Sequence, residues 1–432
     1  MVLRSTVIAL VALLSLFVPA SASTFNVLKT FCVSTNCRDG NTPTAPIFLD
    51  PSGNLFGVTY GGGAHGKGTV FELRKAATGY TFHRIYDFCS QTNCTDGDHP
   101  YSGLIMDTAG NLYGTASNGG ANGTGFRGGI VFKLTPGAKP SQQWTLTKLH
   151  DFCAKANCVD GKTPMAGLTY QGASSGLYDG VSPLFGTTIG GGTAAQGVAY
   201  KLTYVPGRIK RVEKAFYSFC SVANCADGLQ PGAPLTIDGA GNIYGTTNYG
   251  GANGSSTDGG VAFQFTPKHR GYRYTVLHSF CALAECADGD MPSRGGLTID
   301  GSGNLLGTAY RPEGGIIYKL TPAGTGSTIS TLYTFCADTI CDDGAAPDWP
   351  LLIDSNGDIV GATNGGGTAT QPAGTVYRLH DGTLTVLHSF CLNCDDGAYP
   401  RGIAMDTTGN IFGVTFMTRN TGAGGTVFAL TP

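Results

Sequence analysis

The chain has 432 residues, of which 13% are charged and 67 are glycine, with 27 Lys and Arg against 29 Asp and Glu for a formal net charge of -2. That balance, with no basic stripe, excludes a protein that holds nucleic acid or a membrane surface by charge. The glycine load and the lack of a long 3.6-residue periodicity exclude a helical protein and predict short strands joined by turns.

The N-terminus reads as a cleaved secretory signal: a basic start at Arg4, an apolar run from Val7 to Val18, and a small-residue exit at Ala20-Ser21-Ala22. Residues 1–22 are expected to be removed on export, leaving residues 23–432 as a single domain. A bilayer-spanning helix needs ~20 apolar residues, which this run does not reach, and no second apolar segment follows, so no membrane insertion is expected.

From residue 24 onward one unit recurs seven times. Its marker is an aromatic followed by paired cysteines: Phe31-Cys32 with Cys37, Phe88-Cys89 with Cys94, Phe152-Cys153 with Cys158, Phe219-Cys220 with Cys225, Phe280-Cys281 with Cys286, Phe335-Cys336 with Cys341, and Phe390-Cys391 with Cys394. These pairs use all 14 cysteines. Each is followed by Asp-Gly (Asp39, Asp96, Asp160, Asp227, Asp288, Asp343, Asp396), a proline (Pro43, Pro100, Pro164, Pro231, Pro292, Pro347, Pro400) and a short apolar run that is strand one. In six copies that run ends in Asp-x-x-Gly-Asn/Asp, suited to a tight hairpin into strand two, as at Asn111 to Ala116. A glycine-rich loop leads to strand three, as at Gly129 to Pro136, and a variable turn to strand four, as at Tyr274 to Phe280. Four short strands per unit make one antiparallel propeller blade. The last unit stops after strand three, Gly425 to Pro432, and Thr24 to Phe31 reads as the missing strand four. The expected fold is therefore all-β, a seven-bladed β-propeller closed by its N-terminal strand, which removes the open edges that an incomplete last sheet would expose, and the chain is expected to be a monomer. Blade three departs from the pattern, with Gln171 to Val181 in place of the tight hairpin.

Two stretches, Gly103 to Pro136 and Gly296 to Pro322, follow Gly-Leu-x-x-Asp-x-x-Gly-Asn-Leu-Tyr-Gly-Thr-Thr-x-x-Gly-Gly and then Gly-x-Val-Phe-Lys-Leu-Thr-Pro most closely. This element resembles the Gloeobacter/Verrucomicrobia repeat of bacterial tandem-repeat proteins, also known as GloVer or choice-of-anchor proteins. The resemblance implies export and a propeller-like fold, and it carries no catalytic assignment. Many such relatives end in a surface anchor, whereas this chain ends at Pro432 without a sorting motif or hydrophobic tail, so free secretion into the extracellular space is expected.

The cysteines are expected to pair within each repeat, because the loops are short and secretion places them in an oxidising compartment; no recurrent extra ligand suggests a metal, and no cofactor is expected. A carboxylate repeated seven times is more often a turn residue than a calcium ligand or base, and His150, His278 and His388, at one equivalent strand-four position, read as structural. Asn93, Asn122 and Asn253 fit the glycosylation pattern.

Function is expected where the repeat is broken, on the face carrying the cysteine and glycine-rich loops. Beside the repeat prolines stand His99, Tyr101, Met165, Arg294, Asp348 with Trp349, and Arg401, which would ring the channel mouth. Blades five and seven add charged loops with Arg311, Glu313 and Arg419, and blade one adds His65 beside Tyr60. Arginines, aromatics and a carboxylate around a funnel suit an acidic sugar or other anion. Two functions follow: an extracellular binding propeller for a glycan or protein, or a secreted polysaccharide lyase or hydrolase. The second would use Arg294 and Arg401 to neutralise a uronate and His99, Tyr101 or Asp348 as acid or base.

Overall fold

A computed structural model describes residues 23–123, 128–138, 143–173, 176–208, 211–292, 294–311, 314–324, 326–337, 340–418 and 424–431. The leader expected at 1–22 lies outside them. Seven antiparallel sheets form the blades of one β-propeller. In blade one the innermost strand comes in two pieces, Asn41–Pro43 and Phe48–Leu49, both paired with Leu55–Gly61, which is followed by Thr69–Lys75 and Tyr80–Asp87. Blades two, five and six repeat this order.

The break in strand one has a local cause. The residue before each repeat proline, including Thr42, His99, Met291 and Tyr399, has φ between 48° and 59°. This left-handed conformation turns its N–H out of its own sheet. His99 N donates to Lys67 O of the preceding blade at 2.9 Å and Met291 N to Gly259 O at 2.8 Å, so the kink stitches neighbouring blades together.

The ring closes as the sequence predicts. Thr24–Thr30 pairs antiparallel with Thr426–Thr431, from Thr24 opposite Thr431 to Thr30 opposite Thr426, and completes the sheet that begins with Ala398–Met405 and Ile411–Met417. Phe25 stacks on His388 of blade six at 3.8 Å and packs against Phe390 and Phe428. At the seam Phe31 N donates to Gly425 O at 2.9 Å and Thr42 N to Gly424 O at 2.7 Å.

The core lies between blades rather than within them, in seven apolar clusters that each draw on two adjacent sheets. The phenylalanine before each cysteine pair sits in such a cluster and is at most 1% exposed. Burying a side chain of that size stabilises the fold by about 1.5–3 kcal/mol.

Blade three differs from the expected four strands. Its named strands are Leu184–Thr188, Val198–Thr203 and Val212–Ser218, and its inner edge is held by isolated bridges from Lys162 to Gly190 and from Thr169 to Phe185. The segment replacing the hairpin crosses to blade two, where Tyr178 N donates to Met106 O at 2.9 Å and Thr108 N donates to Tyr178 O at 3.0 Å. Buried Arg211 fastens it by donating to Ser182 O and Gly180 O, with its guanidinium over the Tyr178 ring. The atypical sequence thus seals the contact between blades two and three.

Candidate functional site

All seven cysteine pairs form disulfides within their own repeats, and no free cysteine remains among the described residues. The repeated Asp completes each loop. Asp227, 2% exposed, accepts from Ser221 N at 2.9 Å, Val222 N at 3.2 Å, Ser221 Oγ at 2.7 Å and Tyr217 Oη at 2.8 Å. The strand-four position of Tyr217 faces the repeated Asp in every blade: Lys29 and Tyr86 donate to Asp39 and Asp96, Tyr333 to Asp343, His278 and His388 lie within 3.0 Å of Asp288 and Asp396, and His150 stands 3.8 Å from Asp160, beyond hydrogen-bond distance. Lysine, tyrosine and histidine interchange here because each can donate a hydrogen bond to a carboxylate. The hairpin carboxylates bond their own turns: Asp300 accepts from Ser302 N, Asn304 N and Asn304 Nδ2, each at 2.8 Å. Both sets of acids are scaffold. Among the described residues no group of three His, Cys, Asp or Glu is placed to hold a metal ion.

The disulfide loops and glycine-rich loops share one face, where Gly120 N donates to Cys94 O at 3.0 Å and Gly367 N to Cys341 O at 2.8 Å. At its centre the predicted residues of blades two, five, six and seven converge. Arg294 reaches from blade five to blade two, where it donates to Tyr101 Oη at 2.6 Å, with its guanidinium 5.9 Å from the ring centroid. Its backbone N–H meets Asp348 Oδ1 at 3.3 Å, and Asn364 Nδ2 lies 3.5 Å from Asp348 Oδ2. Arg401 lies over Trp349 at 5.4 Å and Phe416 at 4.5 Å, a doubly aromatic seat for a cation. Its Nε is buried without a hydrogen-bond partner, and among the described residues no carboxylate stands within 4.0 Å of it. His99 packs on Tyr60 at 4.5 Å and meets Asp98 at 3.1 Å, and Tyr60 contacts Tyr101 edge-on.

The funnel is shallow. Trp349 is 6% exposed and lies at its neck with Pro46, Met165, Pro234 and Pro350, where the cavity is only about 30 Å³, room for one or two waters. Burial raises the Asp348 pKa above its ordinary value although Arg294 and Arg401 both oppose the shift. Burial also lowers the pKa of Arg401. For Arg294 burial again disfavours the charge, but Tyr101, Asp348 and Tyr249 outweigh it and the pKa is raised. Two guanidiniums, three aromatic faces and one carboxylate that resists ionisation are therefore held at one mouth.

Arg311 ends the strand Leu305–Arg311, where its backbone pairs with Asp290, and its side chain lies outside the described part of the structure. Glu313 and Arg419 lie outside the described residues. Asn364 and Phe416, near the ends of second strands, line this cluster but are absent from the sequence-based set, and Tyr60, named there beside His65, holds the equivalent position in blade one. Their signal is positional, since each follows directly on the Thr that ends a second strand's buried run.

No curated protein matches the chain. Solved structures that align with it include a protein provisionally described as a gluconolactonase, at 10% identity and a TM-score of 0.41 over 95% of this chain and 92% of that one. Another is a gluconolactonase from Xanthomonas campestris, at 11% identity and a TM-score of 0.43 over 95% and 89%. The family model of the Gloeobacter/Verrucomicrobia repeat matches residues 16–182 and 253–432, most of the length, and on that match, with seven repeats folded as seven blades, the chain belongs to the Gloeobacter/Verrucomicrobia repeat family.

Proposed function

We propose that this is a secreted, monomeric binding propeller whose loop-bearing face takes an extracellular glycan or protein through an anionic group seated at the funnel. The observation that carries the reading is Arg401: a cation held over two aromatic rings, with a buried Nε that bonds nothing and no carboxylate within ion-pair distance among the described residues. Such a fork is ready for a carboxylate or sulfate. Secretion is supported by seven disulfides and by the signal-like N-terminus. Among the described residues no helix is long and apolar enough to cross a membrane.

A second reading has its own observation. Asp348 is a carboxyl whose pKa is raised beside two arginines, which suits a general acid acting on a uronate. Incubating the oxidised protein with neutral and acidic polysaccharides, and reading gel retardation together with new reducing ends and unsaturated uronate absorbance, separates the two. Retardation by acidic polymers without products is the expected result. Products that disappear in Asp348→Asn establish an enzyme, and no response to any acidic polymer removes the anionic site.

A further inference from the structure

Glu72 breaks the repeat at the rim as Arg401 does at the axis. The residue after the strand-three aromatic is Lys133, Lys201, Gln264, Lys319, Arg378 or Ala429 in the other blades; only blade one places an acid there. Glu72 is 5% exposed and receives Arg74 in a two-pronged bond, Nε at 3.1 Å and Nη2 at 2.8 Å. The position of Arg74 is threonine in five other blades and His380 in blade six. His83 lies opposite Glu72 on the outer strand.

These side chains form one wall of a cleft of about 510 Å³ between the outer parts of blades one and two, and Trp144 lies in the other. That is the size range of small-ligand sites. Trp144 is half-buried and rests edge-on against Phe56 at 6.4 Å, which fixes the indole. Tyr86 and Ser90 close the end near the loop face. The two acids of the cleft are each paired with an arginine, Glu72 with Arg74 and Asp87 with Arg84 at 3.0 Å, so the acids and arginines of the lining balance, and two histidines, His65 and His83, complete its polar groups. What remains in one cleft is a half-buried indole and a two-pronged guanidinium–carboxylate pair that fixes donors and acceptors in place. A pyranose has that complement, with C–H groups on one face and hydroxyls around the edge.

We propose that the cleft between blades one and two is a binding site for a neutral saccharide, with Trp144 as the stacking surface and the Glu72–Arg74 pair as the hydroxyl anchor. It is separate from the funnel and does not depend on the anionic ligand proposed there.

The chain contains two tryptophans, Trp144 in the cleft and Trp349 in the funnel, so each site carries its own fluorescent reporter. Trp349→Phe leaves the cleft reporter and Trp144→Phe the funnel reporter. Each is titrated with neutral hexasaccharides of β-1,4-glucose, α-1,4-glucose, β-1,4-xylose and β-1,4-mannose, and separately with hexagalacturonate. The expected result is saturable change of Trp144 emission with at least one neutral hexasaccharide, weakened at least tenfold by Glu72→Ala, while Trp349 does not respond to it. Glu72→Gln, which keeps the size and an acceptor, guards against misfolding and is expected to weaken binding less than alanine. No change in Trp144 with any neutral probe, a response to hexagalacturonate alone, or undiminished binding in a folded Glu72→Ala protein overturns the proposal. Trp349 with hexagalacturonate reports the funnel independently.

Discussion

Replacing Phe25 with alanine removes the anchor of the strand that closes the ring. Phe25 touches three rings, stacking on His388 at 3.8 Å and lying 5.6 Å from Phe390 and 5.5 Å from Phe428 between centroids. Truncating a fully buried phenylalanine costs ~3–5 kcal/mol. Phe25 is half-buried at the outer strand, so about 2 kcal/mol is expected. Val27, on the same strand and 39% exposed, provides the control: Val27→Ala should cost under about 0.5 kcal/mol. Both are read by urea unfolding of the oxidised protein, with slopes compared to confirm that the same surface is exposed. Equal, small losses for the two variants would mean that residues 24–30 do not hold the ring, and the closure argument would fail.

Asp227→Asn turns an acceptor of four hydrogen bonds into a group that must present N–H to some of its donors, and a loss of about 2–3 kcal/mol is expected in the same assay, against about 1 kcal/mol for Tyr217→Phe. Gly425 has φ 95°, and a Cβ there would lie 2.3 Å from Thr415 O of its own blade and 2.5 Å from Pro43 Cδ across the seam, whereas Gly409 at φ 88° has nothing within 4 Å. Gly425→Ala should therefore cost more than Gly409→Ala, and equal costs would show that the seam contact is unimportant. Asp348 has a raised folded pKa, so ionising it opposes folding above the unfolded value of 3.8; Asp348→Asn should raise the melting temperature at pH 7, with the gain vanishing below pH 3.8. Asp300 has the opposite sign. Its pKa is lowered despite burial by bonds from Asn304 and Ser302, so its contribution is present above 3.8 and lost as pH falls through the folded value, and Asp300→Asn should flatten the acid limb.

The repeat, the blades and the closing strand were legible because each rests on chain-local chemistry: period-two apolar runs, Asp-x-x-Gly hairpins and an orphan strand at one end with a gap at the other. The latch role of His150, His278 and His388 becomes legible once they are aligned with Lys29, Tyr86, Tyr217 and Tyr333, whose common property is a donor facing the repeated Asp. Blade three was not legible, because the pairing of Tyr178 with Met106 is a contact between units that no local propensity encodes. The funnel was half legible. Residues beside the repeat prolines do reach the mouth, but the reach of Arg294 to Tyr101, 193 residues away, depends on ring curvature and the narrow neck. Asn364 and Phe416 depend on how the kinked first strand exposes the end of the second.

The most direct test of the anionic funnel is isothermal titration of the oxidised protein with acidic oligosaccharides, hexagalacturonate first, beside Arg401→Ala. Losing a charge-assisted bond of ~1.5–3 kcal/mol predicts affinity about 10- to 100-fold weaker in the variant, with the parent's binding falling as salt rises. Binding that is unchanged in a folded Arg401→Ala protein, or no binding of any acidic oligosaccharide to the parent, would contradict the account.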